Sequence, residues 1–269
     1  MSETAYNTPI RPGGETPHAY GANVHVLADP WALSLLARLG HEDTGTSTFH
    51  RLLRAAYRRL LHAVTGELRT LTVTTPTRMA ALQPDAAFHG TAIDAAQPIV
   101  IVDIARAGII PSDVFQQELL DLVFDRYLRV DHLYMQRRTD DAGRVVGIDL
   151  TGSKVGGPVE DATLLIPDPM GATGGSIQHV IDHYKAHVEG TPRRIVACHL
   201  MVTPEYIRAL TTAFPDVVIY TLRVDRGMSP EEVLQTGLGD DPRESGLTDT
   251  QYIVPGAGGL GELLNNAFV

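Results

Sequence analysis

Between Phe49 and Val64 the apolar residues Phe49, Leu52, Leu53, Ala56, Tyr57, Leu60, Leu61 and Val64 recur at three- and four-residue spacing. That period predicts an amphipathic helix with one buried stripe. Arg51, Arg54, Arg58 and Arg59 take the other faces and read as a solvated surface rather than a nucleic-acid patch. Upstream, Asp29-Pro30 supplies an N-cap followed by proline at the first helical position, and Gly40 supplies a stop, so a shorter helix is expected first. Further along, the pattern changes to short, nearly all-apolar runs at residues 99–104, 163–166, 195–202 and 217–222, rich in Val, Ile and Leu. Strands buried on both faces of a parallel sheet read this way. Residues 127–136 form a further strand candidate, and residues 113–124, 177–187 and 205–214 carry helical spacing behind Ser, Thr or Pro starts. Alternating strands and helices imply right-handed crossovers and an α/β fold with a mostly parallel central sheet.

Two stretches stand apart from this alternation. Residues 139–160 are rich in Gly and Asp with alternating Val145, Ile148 and Leu150, and a projecting hairpin is expected there. Ser229-Pro230-Glu231-Glu232 has the form of a capping box opening a short helix, and the acidic, glycine-rich residues 237–249 after it are expected to be disordered or lid-like. The expected organisation is a flexible arm over 1–22 and one domain over 23–269, with a hairpin at about 138–160 and a hood insertion at about 226–251.

Composition narrows the field. With 43% hydrophobic and 20% charged residues the chain can bury a sizeable core. A formal charge of -10 argues against a nucleic-acid partner, yet a few arginines and backbone N–H groups can still make one cleft locally positive. The single cysteine, Cys198, allows no intrachain disulfide and suits a cytoplasmic setting; its apolar strand context reads as packing. The polar start has no signal or anchor pattern, and no stretch reaches membrane-span length, so a soluble protein is expected.

The strongest chemistry lies in Leu164-Leu165-Ile166-Pro167-Asp168-Pro169-Met170-Gly171-Ala172-Thr173-Gly174-Gly175-Ser176. A buried strand ends in an acid, a small-residue loop follows, and a helix opens at about Ser176. Thr173 to Ser176 can turn several backbone N–H groups toward one anion, with the helix N-terminus adding partial positive charge and the Thr173 and Ser176 hydroxyls adding donors. No Gly-Lys-Ser/Thr closes the loop, so it is not a nucleotide-triphosphatase P-loop.

Asp168-Pro169-Met170-Gly171-Ala172-Thr173-Gly174-Gly175-Ser176 resembles the 5-phosphoribosyl 1-pyrophosphate (PRPP) loop of uracil phosphoribosyltransferases, with Gly171 where that family usually has leucine. Ile104-Ala105-Arg106-Ala107-Gly108-Ile109 resembles the family's turn after a strand, and Tyr134-Met135-Gln136-Arg137-Arg138 resembles its second arginine-bearing strand end. Tyr252-Ile253-Val254-Pro255-Gly256 resembles the segment whose backbone reads uracil. The likeness runs from about Val24 onward. It implies a type I phosphoribosyltransferase fold, with a projecting hairpin and a hood from N- and C-terminal segments. It also implies that Asp168 holds the ribose hydroxyls while residues Pro169 to Ser176 cradle the 5-phosphate. Arg106 and Arg137 would contact pyrophosphate, with Arg138 an adjacent alternative, and Ile253, Gly258, Gly259 and Leu260 would surround uracil. Arg106, Arg137 and Asp168 are then the expected catalytic residues, Mg2+ the cofactor, and PRPP and a nucleobase the substrates of a homodimer that transfers phosphoribosyl to give UMP and pyrophosphate. The alternatives are a phosphoribosyltransferase for another base and a non-catalytic PRPP- or nucleotide-binding relative. The chain departs from the family at Gly259 and Glu262, where aspartates are usual, and in the longer stretch between Asp225 and Tyr252.

Two patterns are set aside. Gly256, Gly258 and Gly261 match a dinucleotide fingerprint, but too little chain follows for the rest of that unit. His179, His183 and His187 share one helical face at metal-ligand spacing, but Asp182 and Lys185 lie between them, no nearby acid–His constellation completes a site, and a solvated face is preferred.

Overall fold

The computed structural model describes residues 14–139 and 145–267. The first half runs β1 (Val24–Val26), α1 (Pro30–Leu39), α2 (Thr46–Val64), β2 (Thr70–Pro76), β3 (Ala87–Ile93), β4 (Ile99–Ala105), α3 (Ile109–Leu120), β5 (Leu128–Thr139) and β6 (Val145–Lys154). The second half runs β7 (Thr163–Pro167), β8 (Met170–Gly171), α4 (Gly175–His187), β9 (Arg194–Val202), α5 (Pro204–Ala213), β10 (Val218–Val224) and α6 (Leu260–Asn265). The central sheet has the order β1-β10-β9-β7-β4-β5-β6, with β8 beside β9, and every pairing is parallel except β5 with β6. The result is an α/β fold with a mostly parallel sheet.

Both faces of the sheet are covered, which is why its strands read as unbroken apolar runs. Ile99 and Ile101 of β4 pack with the α2 stripe and with Val114, Phe115 and Leu119 of α3, whereas Val100, Val102 and Ile104 face Val180 and Ile181 of α4. All eight apolar residues of the α2 stripe are buried. The arginines beside it do more than face solvent. Arg54 pairs with Asp113 at 2.7 Å and Arg58 with Glu118 at 2.6 Å, lacing α2 to α3, while Arg59 meets Asp29 at 2.6 Å. In α1, Asp29 accepts the Ala32 N–H at 2.8 Å, Pro30 opens the helix, and Gly40 ends it.

Several features differ from the sequence reading. α3 begins at Ile109 because the turn leaving β4 runs straight into the helix, with the Gly108 N–H bonded to the Ile104 carbonyl at 2.9 Å. A second antiparallel hairpin, β2–β3, stands apart from the main sheet and is exposed along much of both strands. The Ser229 segment forms only one turn of 3-10 helix at Val233–Gln235, because Ser229 Oγ is bonded to the backbone of Ser245 rather than capping a helix.

The hairpin on β5 pairs from His132 opposite Lys154 to Thr139 opposite Val145, and its tip, residues 140–144, lies outside the described residues. Residues 237–249, expected as disordered or lid-like, are instead drawn onto a buried hub. Arg226 is fully buried and donates to Glu244 at 2.5 Å and to the carbonyls of Thr236, Gly237 and Leu234. The described part of the N-terminal arm packs against this segment. Ala19 N–H donates to the Leu238 carbonyl at 2.8 Å and the Tyr20 hydroxyl to Glu244 at 2.7 Å; residues 1–13 lie outside the described residues.

Candidate active site

Because β4, β5, β7, β9 and β10 run parallel, their carboxyl ends share one edge of the sheet. Arg106 leaves β4 there, Asp168 leaves β7, Thr203 leaves β9 and Asp225 leaves β10. Ligands of open α/β sheets bind at this edge. Arg137 lies on β5 beyond Tyr134, its backbone opposite Ile148; its side chain lies outside the described residues. Arg138 is exposed and leans on the hairpin, 3.4 Å from Asp149.

The loop after β7 is held from beneath by β9 and α5. Asp168 N–H donates to the Cys198 carbonyl at 3.1 Å, and the Pro169 carbonyl accepts from Leu200 N–H at 3.0 Å. Thr203 N–H donates to the Gly171 carbonyl at 3.0 Å, and its hydroxyl to the Ala172 carbonyl at 2.6 Å. With the carbonyls turned inward to these donors, the next amides are left over. Gly174, in the left-handed region at φ 88, precedes the helix, which starts at Gly175. Gly175 N–H donates to Thr173 Oγ1 at 3.4 Å, and among the described residues the N–H groups of Thr173, Gly174 and Ser176 have no protein acceptor. Unpaired amides at the start of a helix form a site for an anion.

A buried polar chain supports this loop. His199 is fully buried on β9, with Nδ1 2.5 Å from the Asp168 carbonyl and Nε2 2.5 Å from the Tyr206 hydroxyl. Burial pushes its pKa down to about 4, against the opposing pull of the carbonyl bond. The neutral ring has one N–H. Since a carbonyl only accepts, Nδ1 donates to Asp168 and Nε2 accepts from Tyr206. Burial, and after it the charge of Asp168, raises the Tyr206 and Tyr57 pKa values well above the ordinary range, so both phenols stay protonated. The Tyr206 ring also explains Gly171: a Cβ there would lie 2.8 Å from a ring carbon. Neither His199 nor Tyr206 was singled out in the sequence; the available signal was one histidine inside the apolar run of β9.

The C-terminal turn meets the same edge. Asp225, fully buried at side-chain level, forms a two-pronged pair with Arg223 and accepts the Gly256 N–H at 2.8 Å, while Arg223 donates to the Gly256 carbonyl at 3.2 Å. The Val254–Pro255 bond is cis, and Gly227 N–H donates to the Val254 carbonyl at 2.9 Å. Ile253 packs on the core and Leu260 is wholly inside it, so any ligand contact by Leu260 is through its backbone. Gly258 and Gly259 lie between them, ahead of α6. α6 then returns to the β4 turn, where Arg106 Nη1 donates to the Ala267 carbonyl at 3.3 Å. The Arg106 turn and the C-terminal turn, far apart in sequence, are thus neighbours.

The three histidines of α4 do not form a comparable centre. His183 and His187 have ring centroids 5.1 Å apart beside a groove of about 480 Å³, while His179 lies against the Gly175 carbonyl. Among the described residues no group of three metal-binding side chains comes together. Cys198 is fully buried and burial raises its thiol pKa, as packing requires. No helix among the described residues is long and apolar enough to cross a membrane.

The family model described as uracil phosphoribosyltransferase matches residues 26–241. The uracil phosphoribosyltransferase of Acidovorax sp. (strain JS42) is 30% identical over 225 residues, covering 81% of this chain and 95% of that protein. The one from Burkholderia thailandensis is 29% identical over 243 residues, covering 90% and 94%. Among solved structures, the AQ2163 protein from Aquifex aeolicus aligns with a TM-score of 0.67 at 20% identity, covering 90% of this chain and 97% of that one, which is a likeness of fold. The family match takes in the Arg106 turn, the Asp168 loop and the strands that carry them, and on that extent the chain belongs to the uracil phosphoribosyltransferase family of enzymes.

Proposed function

We propose that this chain transfers the 5-phosphoribosyl group from PRPP to uracil, releasing pyrophosphate and giving UMP, as a cytoplasmic homodimer. The observation that carries the reading is the loop after β7, where the amides of Thr173, Gly174 and Ser176 have no acceptor among the described residues, behind the strand-ending Asp168. In this reading those amides and the hydroxyls of Thr173 and Ser176 hold the terminal phosphate, with Pro169 to Gly175 shaping the cradle. Asp168 accepts from the ribose hydroxyls. Arg106 and Arg137 take the pyrophosphate, where a guanidinium stabilises the charge that builds as the glycosidic bond breaks. The backbone of Ile253, Gly258, Gly259 and Leu260 frames the base.

The donor set at this edge fits Mg2+. It offers Asp168 and no cage of three acidic or imidazole side chains among the described residues, which suits an ion held mainly by substrate oxygens and water. When bound, Mg2+ neutralises pyrophosphate charge. The chain's own contribution is placement and shielding: the base is held against the ribosyl carbon, and the Arg106 side excludes water through α6.

Incubating the protein with Mg2+, PRPP and a panel of bases tests the reading. Pyrophosphate release with uracil above all other bases is the expected result. Release with another base would replace uracil, and PRPP binding with no release across the panel would favour a non-catalytic relative.

A further inference from the structure

α4 carries the phosphate cradle at one end and, about 12 Å along its axis from Gly175, a second polar surface near the other. His183 and His187 lie there one turn apart on one face, with ring centroids 5.1 Å apart. Both line the groove of about 480 Å³, opposite Ser153 and Val155 at the end of β6. His183 is half-buried and His187 is exposed. Among the described residues neither ring makes a hydrogen bond or an ion pair; their contacts are with each other and, for His183, with the edge of Tyr184. His179 differs. Its Nδ1 meets the Gly175 carbonyl at 2.9 Å and is taken up by the helix's own first turn.

The charges around the pair leave room for a cation. Lys185 stands between the two histidines in sequence, but its ammonium is drawn over the Phe214 ring, 4.4 Å from the centroid. Arg129 donates to the carbonyls of Gly157 and Pro158 in the groove wall, and Asp131 pairs with it at 3.0 Å. Glu189 lines the same groove, makes no ion pair among the described residues, and adds negative charge. The last carbonyls of α4 add partial negative charge at the same end. Burial, and after it the charge of His187, lowers the His183 pKa, so its ring keeps a free lone pair at neutral pH.

Distance selects the ion. A Zn2+–imidazole bond of about 2.0–2.1 Å puts the metal about 3.2 Å from the ring centroid, so two imidazoles at the tetrahedral angle have centroids about 5.2 Å apart. At the right angle of octahedral coordination the separation would be about 4.5 Å. The observed 5.1 Å matches the first. We propose that His183 and His187 chelate one Zn2+ ion in the groove between α4 and the end of β6, at a site separate from the phosphate cradle. Among the described residues no third metal-binding side chain joins them, so water completes the shell and the ion is exchangeable, held with micromolar strength rather than as a structural centre. Mg2+ takes oxygen donors and does not compete for two imidazoles.

The test is calorimetric titration of Zn2+, in buffer holding millimolar Mg2+, into the metal-free full chain and into His183→Ala, His187→Ala and His179→Ala. Losing only an outer partner of a metal ligand costs about ten- to a hundred-fold in affinity, and losing a ligand costs at least as much. Wild type is expected to bind one ion per chain. Affinity should fall by about ten-fold or more in His183→Ala and in His187→Ala, and stay within about two-fold of wild type in His179→Ala. Co2+ in place of Zn2+ should give the intense visible absorption of a four-coordinate ion, absent from both weakened variants. His187 is exposed, so its variant keeps the fold and decides the matter should His183→Ala unfold. No saturable binding by wild type, binding that survives His187→Ala, an equal loss in His179→Ala, or the pale spectrum of six-coordinate Co2+ overturns the proposal. None of these outcomes depends on PRPP or on phosphoribosyl transfer.

Discussion

The His199 chain yields a prediction whose sign and size both come from the structure. His199 is fully buried, and its pKa is shifted from the ordinary 6.5 to about 4. Between those values the unfolded chain binds a proton that the folded chain does not, so the native state loses stability as pH falls through 6.5 and stops losing it below about 4. One proton of difference corresponds to about 1.4 kcal/mol per pH unit, or roughly 2 kcal/mol between pH 6.5 and pH 5. His199→Asn keeps a donor near the Asp168 carbonyl and removes the titration, though it leaves the Tyr206 hydroxyl without its acceptor. The variant should therefore be less stable at pH 7.5, by about 1–3 kcal/mol, but its stability should fall less steeply with acidification. Urea unfolding of both proteins at half-unit steps from pH 7.5 to pH 5 measures this, with the carboxylates common to both cancelling in the difference. Parallel curves would refute the assignment of a neutral, Nδ1-protonated His199 under the loop.

Other consequences follow from the same contacts. Gly171→Ala puts a methyl group 2.8 Å from the Tyr206 ring, which is pinned by its hydrogen bond to His199, so about 1–3 kcal/mol of stability should be lost. A Tyr206→Leu background should relieve most of that loss in a double-mutant cycle read by chemical denaturation. Arg226→Met leaves Glu244 buried without its cation and should cost about 3–5 kcal/mol; exchange of the Gly239 amide, which donates to Glu244 at 2.9 Å, should rise in step. Asp225→Asn weakens the hold on Gly256 and Arg223 and should raise KM for the base by about ten-fold while leaving PRPP affinity near wild type, as calorimetry and initial rates would show.

What could be read in the sequence was what local chemistry and period dictate. Asp29-Pro30 and Gly40 mark both ends of α1, the α2 stripe is complete, and β4, β7, β9 and β10 fall within a residue or two of their apolar runs. The loop after Asp168 was legible because its small residues, strand and helix are contiguous. β2–β3 was not, since β2 is exposed at every residue but Val73 and β3 is exposed at Phe88, His89 and Thr91, so neither strand alternates between core and solvent. Neither was the Arg226 hub, whose partners at Leu234, Thr236, Gly237 and Glu244 are united only by the folded path of that segment. The same limit applies at the site. Gly171 and Gly259 look like departures from a pattern until Tyr206 and Glu262 are seen filling the space their side chains would take.

The central claim is that the amides leaving the Asp168 strand bind the terminal phosphate of PRPP. Titrating PRPP with Mg2+ into isotopically labelled protein and following backbone amide resonances tests it residue by residue. The account predicts large, saturable shifts at Thr173, Gly174 and Ser176, reproduced in part by ribose 5-phosphate. Saturable binding that leaves those three amides unmoved, or that shifts residues around the His183 groove instead, would contradict it.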